Sequence, residues 1–183
     1  MDNRINGWLL ACSAFSALSC GDAVPPPGEA AVAISIASSP SGTFGTSCKA
    51  HSLVWASNDV GPNVTSPGEL LVDGRNGAGV TCSVAGSGSY RISGSVDYGG
   101  ARFSVIGSVN ADGTGTASVD FYDPVLYNGL TDSSCTVTAS GGSYKVESGA
   151  IWANVKCLNL RSSGDAYTWC SGDTTIVLKS CTE

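Results

Sequence analysis

The chain has 183 residues, with 9 basic and 15 acidic side chains and a formal net charge of −6. Nucleic-acid-binding proteins present a basic surface, so the charge argues against that class and no nucleic-acid partner is expected. With 24 glycines and only 13% charged residues, the composition also excludes a coiled coil or helical bundle. The hydrophobic fraction of 42% is sufficient for the core of one domain.

The first twenty residues have the pattern of a bacterial export signal. Arg4 precedes an apolar run over residues 8–18, which is too short to span a bilayer and is typical of a secretory signal. Small residues then lead into Cys20, as at the cleavage site of a lipoprotein whose new N-terminal Cys carries the lipid. We predict a signal peptide over 1–19 and lipidation of Cys20, with plain secretion and an intracellular chain as alternatives.

The segment that follows has the composition of a tether. Three prolines at 25–27 favour extended polyproline geometry, in which ten residues reach about 30 Å. Residues 20–30 are therefore predicted to hold a single domain, residues 31–183, off a membrane surface. The predicted location is the bacterial outer membrane or cell surface, with the membrane contacted through the lipid anchor.

Beyond residue 30, apolar and polar residues alternate between Gly, Ser and Asp turns, which predicts about ten short strands. Residues 89–122 predict a three-stranded antiparallel meander, turning at Gly99 and Gly100 and again at Asp112 and Gly113. The other predicted strands are 31–37, 53–57, 70–73, 80–84, 135–139, 143–147, 151–158 and 174–180. The stretches 58–67 and 123–134 are predicted as surface loops. The expected fold is all-β: an antiparallel two-sheet sandwich held by disulfides.

The eight cysteines agree with export. Cys12 leaves with the signal peptide and Cys20 is reserved for lipid. The remaining six predict three disulfides, with all fifteen pairings open; they are Cys48, Cys82, Cys135, Cys157, Cys170 and Cys181. A metal site is the alternative, but the sequence has no Cys-x-x-Cys and its one histidine, His51, has no ligand partner at helical spacing.

Several short motifs resemble a group of uncharacterised myxobacterial secreted lipoproteins. They are Cys-Ser-Val at 82–84, Gly-Thr-Gly-Thr-Ala at 113–117, Cys-Thr-Val at 135–137, and Ile-Trp-Ala followed by a Cys over 151–157. The resemblance covers about residues 80–183, and the chain departs from the group at residues 177–181. The group has no assigned activity, so the resemblance implies export and disulfides only.

Catalytic residues are sparse in the sequence. A Ser-His-Asp hydrolase would have to use His51, yet no Gly-x-Ser-x-Gly elbow lies between a strand and a helix. Glycoside cleavage needs two carboxylates held at a fixed separation in a cleft, and the sequence does not determine that separation. The candidate carboxylates are Asp97, Asp112, Asp120, Asp123 and Glu147.

Calcium is the ion that the acidic residues favour. Asn110, Asp112, Asp120 and Asp123 are expected near one end of the same hairpin or in its following loop, and hard oxygen ligands suit Ca²⁺. The alternative is that Asn-Ala-Asp-Gly at 110–113 is an ordinary hairpin turn. Apart from calcium, no cofactor is expected.

Aromatic side chains on polar strand faces are the main indication of binding. Counting alternate residues places Trp152 with Asn154, opposite Ile151 and Ala153, and Tyr122 with Asp120. Flat rings on a sheet surface can stack on sugars or anchor a protein partner. The alternative for Trp152 is that a loop or Trp169 covers it.

These observations predict a non-catalytic cell-surface lipoprotein that acts in binding, adhesion or envelope structure. Its partner would be a surface protein or a glycan. One alternative is a small secreted carbohydrate-active or hydrolytic enzyme. Another is a self-assembling extracellular subunit, associating by strand addition through residues 30–37.

Overall fold

The computed structural model of the protein describes residues 24–38, 48, 50–55, 68–124, 127–139, 145–164 and 169–183, with only the backbone at 127 and 128. The predicted signal peptide, Cys20 and the loop predicted at 58–67 lie outside these residues. Strands make up 74% of the described part and none of it is helical, so the all-β prediction is confirmed. Within the same residues there is no helix of the length and apolarity needed to cross a membrane.

Eleven strands are found in the described part of the chain, all antiparallel to their neighbours. They are β1 (Glu29–Ser38), β2 (His51–Trp55), β3 (Leu71–Val72), β4 (Gly79–Gly86), β5 (Ser89–Tyr98), β6 (Ala101–Asn110), β7 (Thr114–Asp123), β8 (Tyr127–Thr138), β9 (Lys145–Glu147), β10 (Ala150–Ser162) and β11 (Trp169–Lys179). The sheet order is β2-β1-β11-β10-β8-β7-β6-β5-β4, with β3 also on β1 and β9 also on β10.

The predicted meander is confirmed as β5, β6 and β7. Gly99 and Gly100 form the first turn with φ of 63° and 85°, a backbone conformation that side chains other than glycine rarely adopt. Each strand buries alternate residues in the core, among them Val96, Phe103 and Phe121. The period-two pattern therefore correctly assigned the inner and outer faces of this part of the sheet.

The loop predicted over 123–134 is wrong, because β8 begins at Tyr127. Its polar residues pair on one side with β7 and on the other with β10, so the segment lies within the sheet. Asp132 explains how so polar a stretch is accommodated. Its Oδ1 accepts hydrogen bonds from the Ser134 N–H (2.8 Å) and hydroxyl (2.7 Å), while Oδ2 accepts one from the Asn159 N–H (3.0 Å). The carboxylate thus joins β8 to β10 near the positions where β8 shifts register against β7 and β10 shifts register against β11.

The two separate sheets of the predicted sandwich are not confirmed. The strands form one sheet, curled into a half-barrel around a single large core. Strands far apart in the sheet order therefore meet across the core, as Trp55 on β2 and Phe121 on β7 do with ring centroids 6.4 Å apart. The alternation of inward and outward residues is the same in a sandwich and in a curled sheet, so it could not distinguish them.

Strand β1 is an interior strand. It pairs with β11 along one side and with β2 and β3 along the other, and Ala31 and Val32 are buried. The predicted strand addition through residues 30–37 is therefore wrong, since that segment offers no free edge. The first residue of β1, Glu29, lies within residues 20–30, the segment predicted as a tether.

Three disulfides confirm the predicted covalent framework. Cys135 on β8 is bonded to Cys157 on the neighbouring β10. The other two join more distant parts of the chain: Cys48, just before β2, to Cys170 on β11, and Cys82 on β4 to Cys181 after β11. Closure of loops of 122 and 99 residues restricts the unfolded chain strongly, at roughly 5 kcal/mol each in the chain-entropy account.

Candidate ligand-binding surface

Tyr122 presents an accessible aromatic ring on the outer face of the sheet. Its neighbours Phe121 and Asp123 are buried on the inner side of β7, whereas Tyr122 is 44% exposed and Asp120 is also exposed. The alternation of β7 thus places the two outer residues together on the solvent side. The sequence prediction of an exposed Tyr122 is confirmed.

A shallow depression of about 150 Å³ lies beside this ring. Arg102 is the cross-strand partner of Tyr122, and its Nε donates a hydrogen bond to Asp97 Oδ1 at 2.6 Å. Asp120 and Thr131, also cross-strand partners, complete the polar part of the lining. An aromatic ring is thereby placed next to a carboxylate, a hydroxyl and a guanidinium on adjacent strands.

Gly129 lines the depression without a side chain that would project into it. Its φ is +125°, and a Cβ at this position would lie 2.8 Å from Ser163 Oγ. A side chain here would displace Ser163, which also lines the depression. Gly129 lies in the segment predicted as a loop, residues 123–134, and was therefore not predicted as a site residue.

The polar row continues across the sheet beyond the depression. Asp120 pairs with Thr131, Thr131 with Arg161, and Arg161 with Trp169 on β11. The Arg161 guanidinium carbon lies 4.3 Å from the centroid of the Trp169 ring, a cation–π contact that fixes both side chains. Sequence reasoning missed Thr131 and Arg161 as site residues because only the strand register brings them into line with Asp120.

Trp152 does not present a ring to solvent. It lies on the outer face, opposite the buried Ile151 and Ala153, as the alternation predicted, but it is only 4% exposed. A small apolar cluster covers it, formed with Ala31 and Val177 and flanked by Ala33 and Leu70. The structure thus agrees with the alternative in which the Trp152 ring is covered, and the ring is not available for stacking on a ligand.

The three aspartates proposed for calcium are not brought together. Asp112 lies in the turn before β7 and Asp123 is the last residue of that strand, so nine strand residues, roughly 30 Å, separate them. Asp120 is on the outer face whereas Asp123 is buried on the inner one. The expectation that these residues lie together near one end of the hairpin or in its following loop is wrong, since Asp112 and Asp123 lie at opposite ends of β7 and Asp120 and Asp123 lie on opposite faces.

Asp112 instead organises its turn. Its Oδ1 accepts hydrogen bonds from the Thr114 hydroxyl (2.7 Å) and from the Thr114 N–H (2.9 Å). These bonds, the hydroxyl first, lower the pKa of the Asp112 carboxyl below its ordinary value. The ordinary hairpin turn is therefore the interpretation that the geometry favours for residues 110–113.

His51 is the first residue of β2 and approaches Asp123, the last residue of β7. Its Nε2 is 3.8 Å from Asp123 Oδ2, and the side chain is 22% exposed. A histidine beside a carboxylate is one element of a hydrolytic triad. Among the other acidic candidates, Asp97 and Glu147 are exposed in ion pairs with Arg102 and Lys145.

One group of three potential metal ligands occurs in the described part of the chain. It consists of Asp132, Cys135 and Cys157, with ligand atoms within 4.8 Å of one another. The two sulfurs are joined in a disulfide, and a metal requires the thiolate form. The group is therefore better described as a buried structural cluster.

Comparisons of the chain with protein-family models, with curated protein sequences and with solved structures gave no match.

Proposed function

We propose that the protein is a non-catalytic binding module, held at the bacterial surface by a lipid on Cys20, whose outer face binds a neutral saccharide around Tyr122. The observation that carries the proposal is the exposed Tyr122 ring, set on a disulfide-bonded sheet beside Asp120 and Thr131. The surface location rests on the export pattern of the first twenty residues and on the resemblance to exported lipoproteins.

The chemistry of the depression suits a sugar. The face of an aromatic ring packs against the apolar C–H face of a pyranose, while carboxylate and hydroxyl groups exchange hydrogen bonds with its hydroxyls. Asp120 and Thr131 supply those groups, and Arg102 is already partly neutralised by Asp97. The net charge of −6 works against a polyanionic ligand.

A saccharide fits this surface better than a protein partner does. A stable protein interface buries about 800 Å² on each side and has an apolar centre. The depression beside Tyr122 has a volume of only about 150 Å³, and the other large exposed hydrophobic side chains of the meander and β10, Ile106 and Leu158, do not line it. A ligand recognised by one ring and a few hydrogen bonds is small and hydroxyl-rich.

An array of neutral and acidic glycans tests the proposal. The wild-type protein is expected to bind a neutral glycan, and Tyr122→Ala is expected to weaken that binding by at least tenfold. The matched control is Ile106→Ala, which removes an apolar side chain that is 65% exposed on the same face but outside the depression. Equal loss in both variants, or binding to no glycan, would refute the proposal.

The enzyme alternative is tested in the same samples. The contact between His51 and Asp123 is the observation that favours it. The binding proposal predicts that bound glycans are recovered unchanged. Turnover that disappears in His51→Ala while Tyr122→Ala retains it would support catalysis instead.

A further inference from the structure

Arg102 is the only basic residue among the described residues that line the depression beside Tyr122. Its Nε donates a hydrogen bond to Asp97 Oδ1 at 2.6 Å, and the side chains are 62% and 46% exposed. Asp97 itself does not line the depression. The guanidinium thus borders the depression while it is bonded to a carboxylate that lies outside it.

The strand register sets up this arrangement. Asp97 on β5 pairs with Arg102 on β6, and Arg102 pairs with Tyr122 on β7, so the three residues stand in one row across adjacent strands. Neighbouring strands are about 4.8 Å apart. An anionic ligand group that paired with Arg102 would therefore come within about one strand spacing of the Asp97 carboxylate, where like charges repel.

The bond to Asp97 also changes what Arg102 can recognise. A free guanidinium binds a carboxylate through two parallel N–H bonds. In this structure the Nε–H is donated to Asp97, so the edge of the guanidinium that contains Nε is already used. The other N–H groups can still donate single hydrogen bonds to sugar hydroxyls. Arg102 is thereby suited to an uncharged ligand.

The other charges near the ring do not offset Asp97. Asp120 lines the depression as a second carboxylate, so two acidic side chains accompany one guanidinium. Arg161 lies on β10, three strand spacings or about 14 Å from β6, and it stacks on Trp169. That separation exceeds the Debye length of about 8 Å in physiological salt, so the charge of Arg161 is largely screened at Arg102.

We propose that Asp97 is a specificity-determining residue of the saccharide site, and that it makes the site reject acidic sugars without contacting the ligand. The inference rests on the proposed function, because it assigns a ligand class to the depression beside Tyr122. The accepted class is an uncharged glycan, and the rejected class is the same glycan carrying a carboxylate, as in a uronic acid. Asp120 has a different role, since its carboxylate lines the depression and bonds the ligand directly.

Calorimetric titration with two forms of one glycan tests the inference. One form is a neutral glycan selected on the array, and the other has its terminal hydroxymethyl group oxidised to a carboxylate. The wild type should prefer the neutral form by about tenfold. In Asp97→Asn the amide oxygen still accepts from Arg102 Nε, so affinity for the neutral form should stay within about twofold. Affinity for the acidic form should rise about fourfold or more, because the repulsion at one strand spacing is removed.

Three controls show that the gain comes from the local charge acting through Arg102. Glu147→Gln removes a negative charge from another exposed ion pair, that with Lys145, outside the depression, and should change neither affinity. The gain in Asp97→Asn should shrink in about 1 M salt, where the Debye length is about 3 Å. It should also be absent when Arg102→Gln is added, because the acidic group then has no guanidinium to bind.

The outcomes separate this inference from the proposed function. A wild type that binds the acidic form as tightly as the neutral form would overturn the inference and leave the saccharide site in place. The same holds for an unchanged acidic affinity in Asp97→Asn, an equal gain in Glu147→Gln, or a gain that persists with Arg102→Gln. If the wild type binds no neutral glycan, the proposed function fails and the inference fails with it.

Discussion

Gly94 on β5 lies directly against Leu178 on β11, although five strand-to-strand steps separate these strands in the sheet. In a flat sheet those steps would place them roughly 24 Å apart. A Cβ at position 94 would lie 2.6 Å from Leu178 Cδ1, so the two strands are in van der Waals contact across the core. The curl of the sheet makes this contact, and a side chain at position 94 would require Leu178 to shift.

Gly94→Ala is therefore expected to destabilise the protein by about 1–3 kcal/mol through overpacking. Combining it with Leu178→Val should cost less than the sum of the two single changes, because the smaller residue makes room for the added methyl. Urea unfolding of the four proteins measures this coupling. The control is Gly79→Ala, whose Cβ would make an ordinary contact at 3.6 Å with Asp97. If the changes in unfolding free energy at positions 94 and 178 were additive, the curled arrangement would be contradicted.

Asp132→Asn is expected to cost about 1–3 kcal/mol. The amide of Asn keeps only one acceptor oxygen, so either the Ser134 donors or the half-buried Asn159 N–H lose their partner. The urea midpoint should fall while the m-value stays constant. The control is Glu147→Gln, at a side chain that is 58% exposed, and it should leave the urea midpoint unchanged. If Asp132→Asn had the same midpoint as the wild type, the carboxylate would not hold β8 to β10.

Trp152→Ala is expected to lower stability and leave saccharide binding intact. The ring fills the small cluster with Ala31 and Val177, and its removal should cost about 3–5 kcal/mol. Thermal unfolding measures the first effect, and a glycan titration well below the transition measures the second. Loss of binding at unchanged stability would mean that the ring contacts a ligand after all.

The hairpin turn at Asp112 should contribute to stability in a pH-dependent way. Because hydrogen bonds from Thr114 lower the pKa of Asp112 below 3.8 in the folded state, its contribution is present above that value. As the pH falls through the lower folded-state pKa, the contribution is lost. The stability difference between wild type and Asp112→Ala should therefore be constant above about pH 5 and shrink towards pH 2. A difference that grows on acidification would have the wrong sign.

Local patterns predicted the strands but not their arrangement. The turn at Gly99 and Gly100 and the alternation of β5 to β7 follow from backbone conformation and from burial of one face, which adjacent residues determine. The first part of β8, residues 127–134, was missed because Asp132 and its serine neighbours have the composition of a loop. Their place in the sheet depends on the N–H of Asn159, 27 residues away.

The candidate surface was also predictable only in part. The outward position of Tyr122 follows from the alternation of inward and outward side chains along β7, and the same alternation along β10 places Trp152 on the outer face. The covering of that face by a loop residue such as Leu70 is a tertiary contact, and the alternation along one strand cannot predict it. The alignment of Asp120 with Thr131 and Arg161 needs the register of three strands, which no single segment determines.

The most direct test of the binding proposal is a backbone chemical-shift titration of the isotopically labelled protein with a neutral glycan selected on the array. The account predicts saturable shifts confined to Arg102, Asp120, Tyr122, Gly129 and Thr131, all lost in Tyr122→Ala. No saturable shift, or shifts centred elsewhere on the molecule, would contradict the assignment of this surface as a saccharide site.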